Sequence, residues 1–269
     1  MKYIKKKCQP HLWLLTGTSE GHVFAKSLLK DGWRITVSVV SERASLPYKK
    51  LLLENLLVGP LKSEQEIRNI ILNARINQNG FYCVIDLTHP FAVKVTPALI
   101  SACKELDQPY IRYERLIENV SNAFLIKSLS DLANFDIANK SILFAIGIKE
   151  LQKAVLVALS LGSNVYARVL ANPDSLKKTL STSIPKNNFA VLNPSISRDC
   201  DLEKALIRKW SIDGVVCRQS GGETEKLWRD VCLTMGIQLW MLARPPENKN
   251  VDTINTYEQL SKRLSSIDI

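Results

Sequence analysis

Two short polar segments of this chain carry residues that could bind a ligand. Thr16-Gly17-Thr18-Ser19-Glu20-Gly21 and Thr88-His89-Pro90-Phe91 each follow an apolar run and precede a helical pattern. In the first segment, Gly17 permits a tight turn, and the hydroxyl and N–H groups that follow it could bind a phosphate at a helix N-terminus. The G-x-G-x-x-G motif is incomplete, because Thr16 stands at its first glycine position. A plain turn with a helix cap is the alternative interpretation.

In the second segment, His89 is the only one of the three histidines that lies in a loop after a predicted strand. It could act as a general acid, donate a hydrogen bond to a substrate, or cap its own loop. No metal-ligand partner lies near it in sequence, so we expect no metal site. We expect His89 to contact substrate or cofactor rather than to transfer a proton. Pro90 is expected to open the following helix.

The end of the second predicted strand bears on the choice of nicotinamide cofactor. An acid there binds a ribose 2′-hydroxyl, whereas arginine and hydroxyl groups accept a 2′-phosphate. Ser41 and Arg43 favour NADPH, and Glu42 between them keeps NADH possible.

The second half of the chain has polar strand ends of its own. Glycines and basic residues recur there, which suits carboxylates or phosphates, although each basic residue alone could simply be solvated. These residues are Gly147, Lys149, Arg168, Arg218, Ser220, Gly221, Gly222 and Lys226.

The elements that position these loops alternate along the chain. The pattern predicts strands at 11–15, 33–40, 55–58, 82–87, 109–113, 140–146, 164–169, 188–192, 213–217 and 237–242. It predicts helices near 19–31, 63–77, 90–106, 128–137, 149–161, 174–180, 199–210, 222–235 and 256–267. Such alternation indicates an α/β fold with mostly parallel sheets. We expect two Rossmann-like domains, 1–115 and 116–269, with an interdomain cleft; the tail 247–269 could pack on either half.

Composition narrows the function classes. Lys+Arg 36 against Asp+Glu 26 gives a net charge of +10, which attracts nucleic acid, acidic membranes or small polyanions. The charges are dispersed, no apolar run approaches the roughly 20 residues of a membrane span, and no C-x-x-C pair occurs among the six cysteines. We therefore expect a cytoplasmic chain with reduced, buried thiols, no membrane partner and no nucleic-acid partner. The usual hydrolase and ATPase motifs are also missing.

Taken together, the loops resemble those of the precorrin-6A and cobalt-precorrin-6A reductase family of cobalamin biosynthesis. The matching segments run in family order over nearly the whole chain: Leu14-Leu-Thr-Gly-Thr-Ser-Glu-Gly21, Val84-Ile-Asp-Leu-Thr-His-Pro-Phe-Ala92, Tyr110-Ile-Arg-Tyr-Glu-Arg115, Gly147-Ile-Lys-Glu-Leu151, Ala167-Arg-Val-Leu170, Arg218-Gln-Ser-Gly-Gly222, Glu225-Lys226 and Ala243-Arg-Pro245. The chain departs from the family at Thr16, at Ala145–Glu150 and at 192–195. These departures affect substrate contacts more than the assignment.

The resemblance implies NAD(P)H-dependent reduction of one double bond in a polycarboxylate corrin precursor. It implies cofactor contacts from Gly17, Thr18, Ser19, Glu20, Gly21, Ser41, Arg43, Thr88 and His89. It implies substrate contacts from Pro90, Phe91, Tyr113, Arg115, Gly147, Lys149, Arg168, Arg218, Ser220, Gly221, Gly222 and Lys226. A dehydrogenase for another small anion, or a non-catalytic nucleotide- or nucleic-acid-binding module, stays open. The oligomeric state is also left open, and the sequence is compatible with a monomer.

Overall fold

A computed structural model describes residues 9–118, 122–193, 200–246 and 250–267. The chain divides into two compact units, one formed by Met1–Leu116 with Pro245–Ile269 and the other by Ile117–Arg244. The closing segment, whose side the sequence left open, thus belongs to the first unit, and the second unit ends before it. No helix of the described residues is long and apolar enough to cross a bilayer.

The first unit is a doubly wound parallel sheet. Its strands are β1 (His11–Thr16), β2 (Arg34–Val39), β3 (Asn55–Val58), β4 (Cys83–Leu87), β5 (Tyr110–Tyr113) and β12 (Asp252–Ile254). Its helices are α1 (Glu20–Lys30), α2 (Glu42–Ser45), α3 (Glu64–Asn77), α4 (Val95–Glu105) and α9 (Tyr257–Ser265). The spatial order is β3-β2-β1-β4-β5-β12 with every pair parallel, which is the Rossmann order 3-2-1-4-5-6.

The second unit repeats this plan with one change at its edge. Its strands are β6 (Phe124–Ile126), β7 (Ser141–Phe144), β8 (Asn164–Val169), β9 (Phe189–Val191), β10 (Gly214–Arg218) and β11 (Gln238–Leu242). Its helices are α5 (Ile148–Ser160), α6 (Pro173–Leu180), α7 (Asp201–Trp210) and α8 (Glu223–Met235), with a 3-10 helix at Leu129–Asn134. The order is β9-β8-β7-β10-β11-β6, again parallel, so the sixth position is filled by the first strand of the unit rather than the last.

The apolar strands are buried on both faces, as parallel sheets require. In β1, Leu12 and Leu14 pack with α1 and α9, whereas Trp13 and Leu15 pack with α3 and α4. In the second unit, Phe144 belongs to the core beside α5, and the core on the other face is formed with α7 and α8. The predicted α/β class with two parallel Rossmann-like sheets is confirmed.

Several boundaries differ from the sequence prediction. The helix expected from Pro90 begins only at Val95, because His89 O accepts a hydrogen bond from Ala92 N and closes a turn first. The helix expected at 128–137 is the short 3-10 helix, and α2 was not predicted. Strands β6 and β12, of three residues each, were also missed.

Five of the six cysteines lie in the described residues. Four are buried, namely Cys83, Cys103, Cys217 and Cys232, and Cys200 is half-buried. Burial raises the pKa of Cys103 and of Cys232 to about 12. These thiols are therefore protonated at neutral pH and serve as apolar core groups. Cys8 lies outside the described residues.

Candidate functional site

The strand order of the first sheet reverses between β1 and β4, and sheets of this kind bind ligands in a crevice at the carboxyl ends of the strands at such a point. The two polar segments singled out from the sequence meet there. A Cβ on Gly17 would lie 3.4 Å from His89 N, and Thr18 Oγ1 donates to Leu87 O at 3.2 Å. A Cβ at position 17 would therefore already touch the neighbouring loop, which shows how closely the two loops approach.

The first segment divides its roles between ligand and packing. Gly21 is buried, and a Cβ there would lie 2.7 Å from Thr16 Cβ and 2.8 Å from Tyr48 Oη. Gly21 therefore serves the close contact between α1 and the sheet; its expected contact with the cofactor stays a prediction. Within the described chain, the side chain of Ser19 makes no capping hydrogen bond to α1, and Gly21 N donates to Thr18 O at 3.3 Å. The start of α1 thus has no side-chain cap from Ser19, and such a helix start suits an anion.

Glu20 and Arg115 bind each other. Arg115 Nε and Nη2 donate to the two carboxylate oxygens of Glu20 at 2.7 and 2.6 Å. Burial tends to raise the pKa of Glu20, but the hydrogen bonds and charge of Arg115 outweigh it and lower that pKa. The pair ties the start of α1 to the segment after β5. The predicted contacts of Glu20 with cofactor and of Arg115 with substrate stay predictions; in the structure their charged groups bind each other.

A buried carboxylate, Asp86, organises the floor of the crevice. Its Oδ1 forms an ion pair with Arg112 Nη1 at 2.6 Å and accepts a hydrogen bond from Thr88 N at 2.9 Å. Its Oδ2 accepts from Thr96 Oγ1 at 2.9 Å and from Tyr110 Oη at 2.8 Å. Asp86 is fully buried, so these three hydrogen bonds and the ion pair replace the water that the carboxylate gives up on folding. Burial, followed by the charge of Asp86, raises the pKa of Tyr110 far above its usual range.

The same network fixes Thr88. Arg112 Nη1 donates to Thr88 Oγ1 at 2.9 Å, and Thr88 Oγ1 lies 3.2 Å from Thr96 Oγ1. Because Thr96 gives its hydroxyl proton to Asp86, Thr88 is the donor to Thr96. The Thr88 hydroxyl, expected to contact the cofactor, thus binds within this network, as does the Thr88 N–H, which donates to Asp86.

Arg112 extends the network to the edge of the sheet. Its Nε donates to Glu114 Oε1 at 2.8 Å, and the charges of Asp86 and Glu114 raise the pKa of Arg112 against the opposing effect of burial. The backbone of Glu114 is bound in turn by β12 and the residue after it: Glu114 N donates to Ile254 O at 2.9 Å and Asn255 Nδ2 to Glu114 O at 2.7 Å. The closing segment therefore supports the crevice floor.

The turn after Thr88 is organised by the imidazole of His89. Its Nδ1 accepts from Phe91 N at 3.1 Å, so the neutral ring carries its proton on Nε2. The two rings lie 5.8 Å apart, and Pro90 stands between them in sequence, half-buried. His89 therefore caps its own loop, which is one of the three roles considered for it. Tyr113, expected to contact substrate, packs edge-on against Phe24 with centroids 5.0 Å apart.

At the end of β2, Ser41 caps α2. Its hydroxyl oxygen accepts from Ala44 N at 3.3 Å, and Arg43 is exposed in the first turn. The carboxylate of Glu42 forms an ion pair with Lys49 at 3.3 Å.

The second sheet has its own switch point between β7 and β10. Gly147, with φ of 77°, caps α5, and a Cβ there would lie 3.9 Å from Arg218 Nη1. Burial lowers the pKa of Arg218, while the charge of Glu150 in the first turn of α5 opposes this. Lys149 is exposed beside it. The loop after β7 and the end of β10 are thus brought together.

The turn after β10 is shaped by Glu225, which belongs to a segment that matches the family but was not predicted as a site residue. Gly221, with φ of 66°, donates its N–H to Glu225 Oε2 at 2.6 Å, and Ser220 is buried next to it. Gly222 precedes α8, and Lys226 is exposed in its first turn. A glutamate at the third position of a helix often accepts a hydrogen bond from an N–H at the helix start. The position of Glu225 in the predicted helix was therefore the available signal.

Arg168 is buried within the second unit. It is 7% exposed at the carboxyl-terminal half of β8. Burial lowers its pKa, and the charge of Glu203 opposes the shift.

Comparison with known proteins agrees with this architecture. The family described as "Precorrin-6x reductase CbiJ/CobK" matches residues 11–265. A cobalt-precorrin-6A reductase of Synechocystis sp. is 28% identical over 87% of this chain and 88% of its own length. A precorrin-6A reductase of Mycobacterium tuberculosis is 28% identical over 86% of this chain and 88% of its own.

The solved structure "CobK precorrin-6A reductase" superposes with a TM-score of 0.75 at 19% identity, covering 96% of both chains, and so shares the fold. Matching nearly end to end, the chain belongs to the precorrin-6x reductase CbiJ/CobK family, oxidoreductases of cobalamin biosynthesis that act on a CH–CH group.

Proposed function

We propose that this chain reduces one double bond of precorrin-6A or cobalt-precorrin-6A with NADPH. One observation carries the proposal: the loops that contain Gly17 and His89 meet where the strand order of a Rossmann sheet reverses. They do so next to the start of α1, where Ser19 makes no capping hydrogen bond. That arrangement suits a dinucleotide, because the backbone can approach closely and the first-turn N–H groups suit a pyrophosphate.

The residues at the first sheet fit the cofactor. Gly17, Thr18 and Ser19 would bind its phosphates, and the exposed Arg43 with the Ser41 hydroxyl would bind a 2′-phosphate. The ion pair of Glu42 with Lys49 reduces the negative charge there, which favours NADPH over NADH. When bound, NADPH supplies the hydride for the reduction.

Substrate binding and protonation involve different residues. Exposed Lys149 and Lys226, together with Arg218, supply positive charge at the carboxyl ends of the second sheet and suit the acetate and propionate side chains of a corrin precursor. His89 holds the 88–91 turn through Phe91 N and can offer its Nε2 proton as a hydrogen bond. The proton that completes the CH–CH unit can come from the macrocycle or from water, so His89 positions ligand rather than protonates it.

The experiment is anaerobic incubation of the purified protein with precorrin-6A, or with its cobalt form, and with NADPH or NADH. The proposal predicts loss of nicotinamide absorbance in proportion to the formation of a dihydro product, faster with NADPH. Turnover of a different anionic substrate with neither macrocycle reduced would contradict it in favour of another dehydrogenase. Salt-dependent binding of DNA or RNA without turnover would favour a binding module.

A further inference from the structure

Two oppositely charged side chains of the second unit, Arg168 and Glu203, are buried without a hydrogen bond between them. Arg168 is 7% exposed and Glu203 0%. In the described part of the chain, the buried Nε of Arg168 and both carboxylate oxygens of Glu203 have no hydrogen-bond partner. Buried charges are rarely left in this state, because each gives up its hydration without compensation.

The fold places these two charges at the same end of the second sheet. Tyr166 and Arg168 lie two residues apart on β8 and so face the same side, and Tyr166 stacks on Trp210 at the end of α7 with centroids 5.2 Å apart. The helix runs antiparallel to the strands, so its first turn, which contains Glu203, lies toward the carboxyl ends. Arg168 is displaced from Tyr166 in that same direction, toward the ligand edge of the sheet.

A second arginine–glutamate pair of this chain, in the first unit, is hydrogen-bonded and serves as a comparison. Arg115 and Glu20 also combine a residue near a strand end with the first turn of a helix, and they bind at 2.7 and 2.6 Å. Arg168 and Glu203 interact only through their charges, since the charge of Glu203 opposes the burial that lowers the pKa of Arg168. The guanidinium of Arg168 therefore keeps its hydrogen-bonding capacity for another anion.

We propose that Arg168 binds one carboxylate side chain of the macrocyclic substrate and that Glu203 weakens this binding, so that the product can leave. The inference rests on the proposed function and adds to it a carboxylate subsite with a built-in opposing charge. Glu203 repels an incoming carboxylate while keeping the empty site close to neutral. The two residues consequently have opposite effects on affinity, which a merely structural role would not produce.

The test measures binding of an octacarboxylate porphyrin, which the protein cannot reduce by this reaction, from the quenching of porphyrin fluorescence. Arg168→Gln should weaken binding by about ten- to a hundredfold, the loss expected for a hydrogen bond between charged groups. Glu203→Gln should strengthen binding by roughly three- to tenfold, because the repelling charge is removed. Asp201→Asn is the matched control: it removes an exposed carboxylate from the same first turn and should leave affinity nearly unchanged.

Four outcomes would overturn the proposal: no porphyrin binding by the parent protein, unchanged binding in Arg168→Gln, weaker binding in Glu203→Gln, or equal strengthening in Asp201→Asn. If Arg168→Gln fails to fold by circular dichroism, the contrast between Glu203→Gln and Asp201→Asn decides. Binding of the porphyrin is independent of turnover. If the two substitutions shift porphyrin affinity in opposite directions but the protein reduces neither macrocycle, the subsite is supported and the proposed reaction is rejected. If the protein turns over a macrocycle but neither substitution changes porphyrin affinity, the reaction is supported and the subsite is rejected.

Discussion

Removal of the Tyr110 hydroxyl tests whether the Asp86 network stabilises the first unit. Tyr110→Phe deletes the 2.8 Å hydrogen bond to Asp86 Oδ2 and leaves that oxygen with Thr96 as its remaining donor. Asp86 is fully buried, so water cannot replace the lost donor. A hydrogen bond to a charged group is worth about 1.5–3 kcal/mol, and we expect a loss of about 2 kcal/mol.

The chain provides a matched control in Tyr257. Its hydroxyl donates to Asp31 Oδ2 at 2.6 Å, a shorter phenol–carboxylate bond, but Asp31 is exposed. Water can replace this donor, so Tyr257→Phe should cost no more than about 0.5 kcal/mol. The two variants remove the same kind of group and differ in burial.

Hydrogen exchange followed by mass spectrometry reads each unit separately. In Tyr110→Phe, amides of β4 and β5 should exchange roughly 30-fold faster, which corresponds to about 2 kcal/mol, and those of β7 and β10 should not change. In Tyr257→Phe the β4 and β5 amides should change by less than about threefold. Equal acceleration in the two variants, or a larger effect in Tyr257→Phe, would refute the reasoning that burial makes the Asp86 network strong.

Four further outcomes are expected. Arg43→Ala should weaken NADPH binding by about 1–3 kcal/mol and leave NADH binding nearly unchanged, as measured by calorimetry; equal losses would contradict a 2′-phosphate contact. Gly21→Ala should destabilise the first unit by about 1–3 kcal/mol in denaturant unfolding, because its Cβ would lie 2.7 Å from Thr16 Cβ. Burial lowers the pKa of His11 from 6.5 to about 4, so the unfolded chain binds its proton first as the pH falls. Stability should then drop by up to about 3 kcal/mol between those pH values, with a smaller slope in His11→Asn. His89→Asn should keep much of kcat, because an Asn oxygen can accept from the N–H two residues on, whereas His89→Ala should lose more; a loss beyond about 10³-fold in a folded His89→Asn would make His89 the proton donor.

The sequence predicted which loops form the site, but it did not predict the hydrogen bonds and ion pairs that hold those loops. Alternating strands and helices predicted that the Gly17 and His89 loops end strands of one parallel sheet, and the structure brings them into contact. Asp86 was missed as an organising residue because it stands inside an apolar run. Its partner Arg112 is its direct neighbour across β4 and β5, a register that sequence does not reveal.

Pairings over long sequence distances account for the other differences. Glu20 and Arg115 are 95 residues apart and each fits a ligand role alone; only the fold joins them. Glu203 was overlooked because an acidic residue in the first turn of a helix is typical of a solvated helix start. The contribution of β12 to the crevice floor could not be predicted, because the strand has three residues and returns to the first sheet only after the whole second unit.

The most direct test of the proposed reaction follows the hydrogen itself. Turnover of precorrin-6A, or its cobalt form, with NADPH carrying deuterium at both positions of nicotinamide carbon 4 should give a dihydro product with one deuterium in ordinary water. Unlabelled NADPH in deuterated water should place one deuterium, from the protonation step, at the partner carbon. A product that takes both new hydrogens from solvent would contradict hydride transfer from a cofactor at the Gly17 crevice.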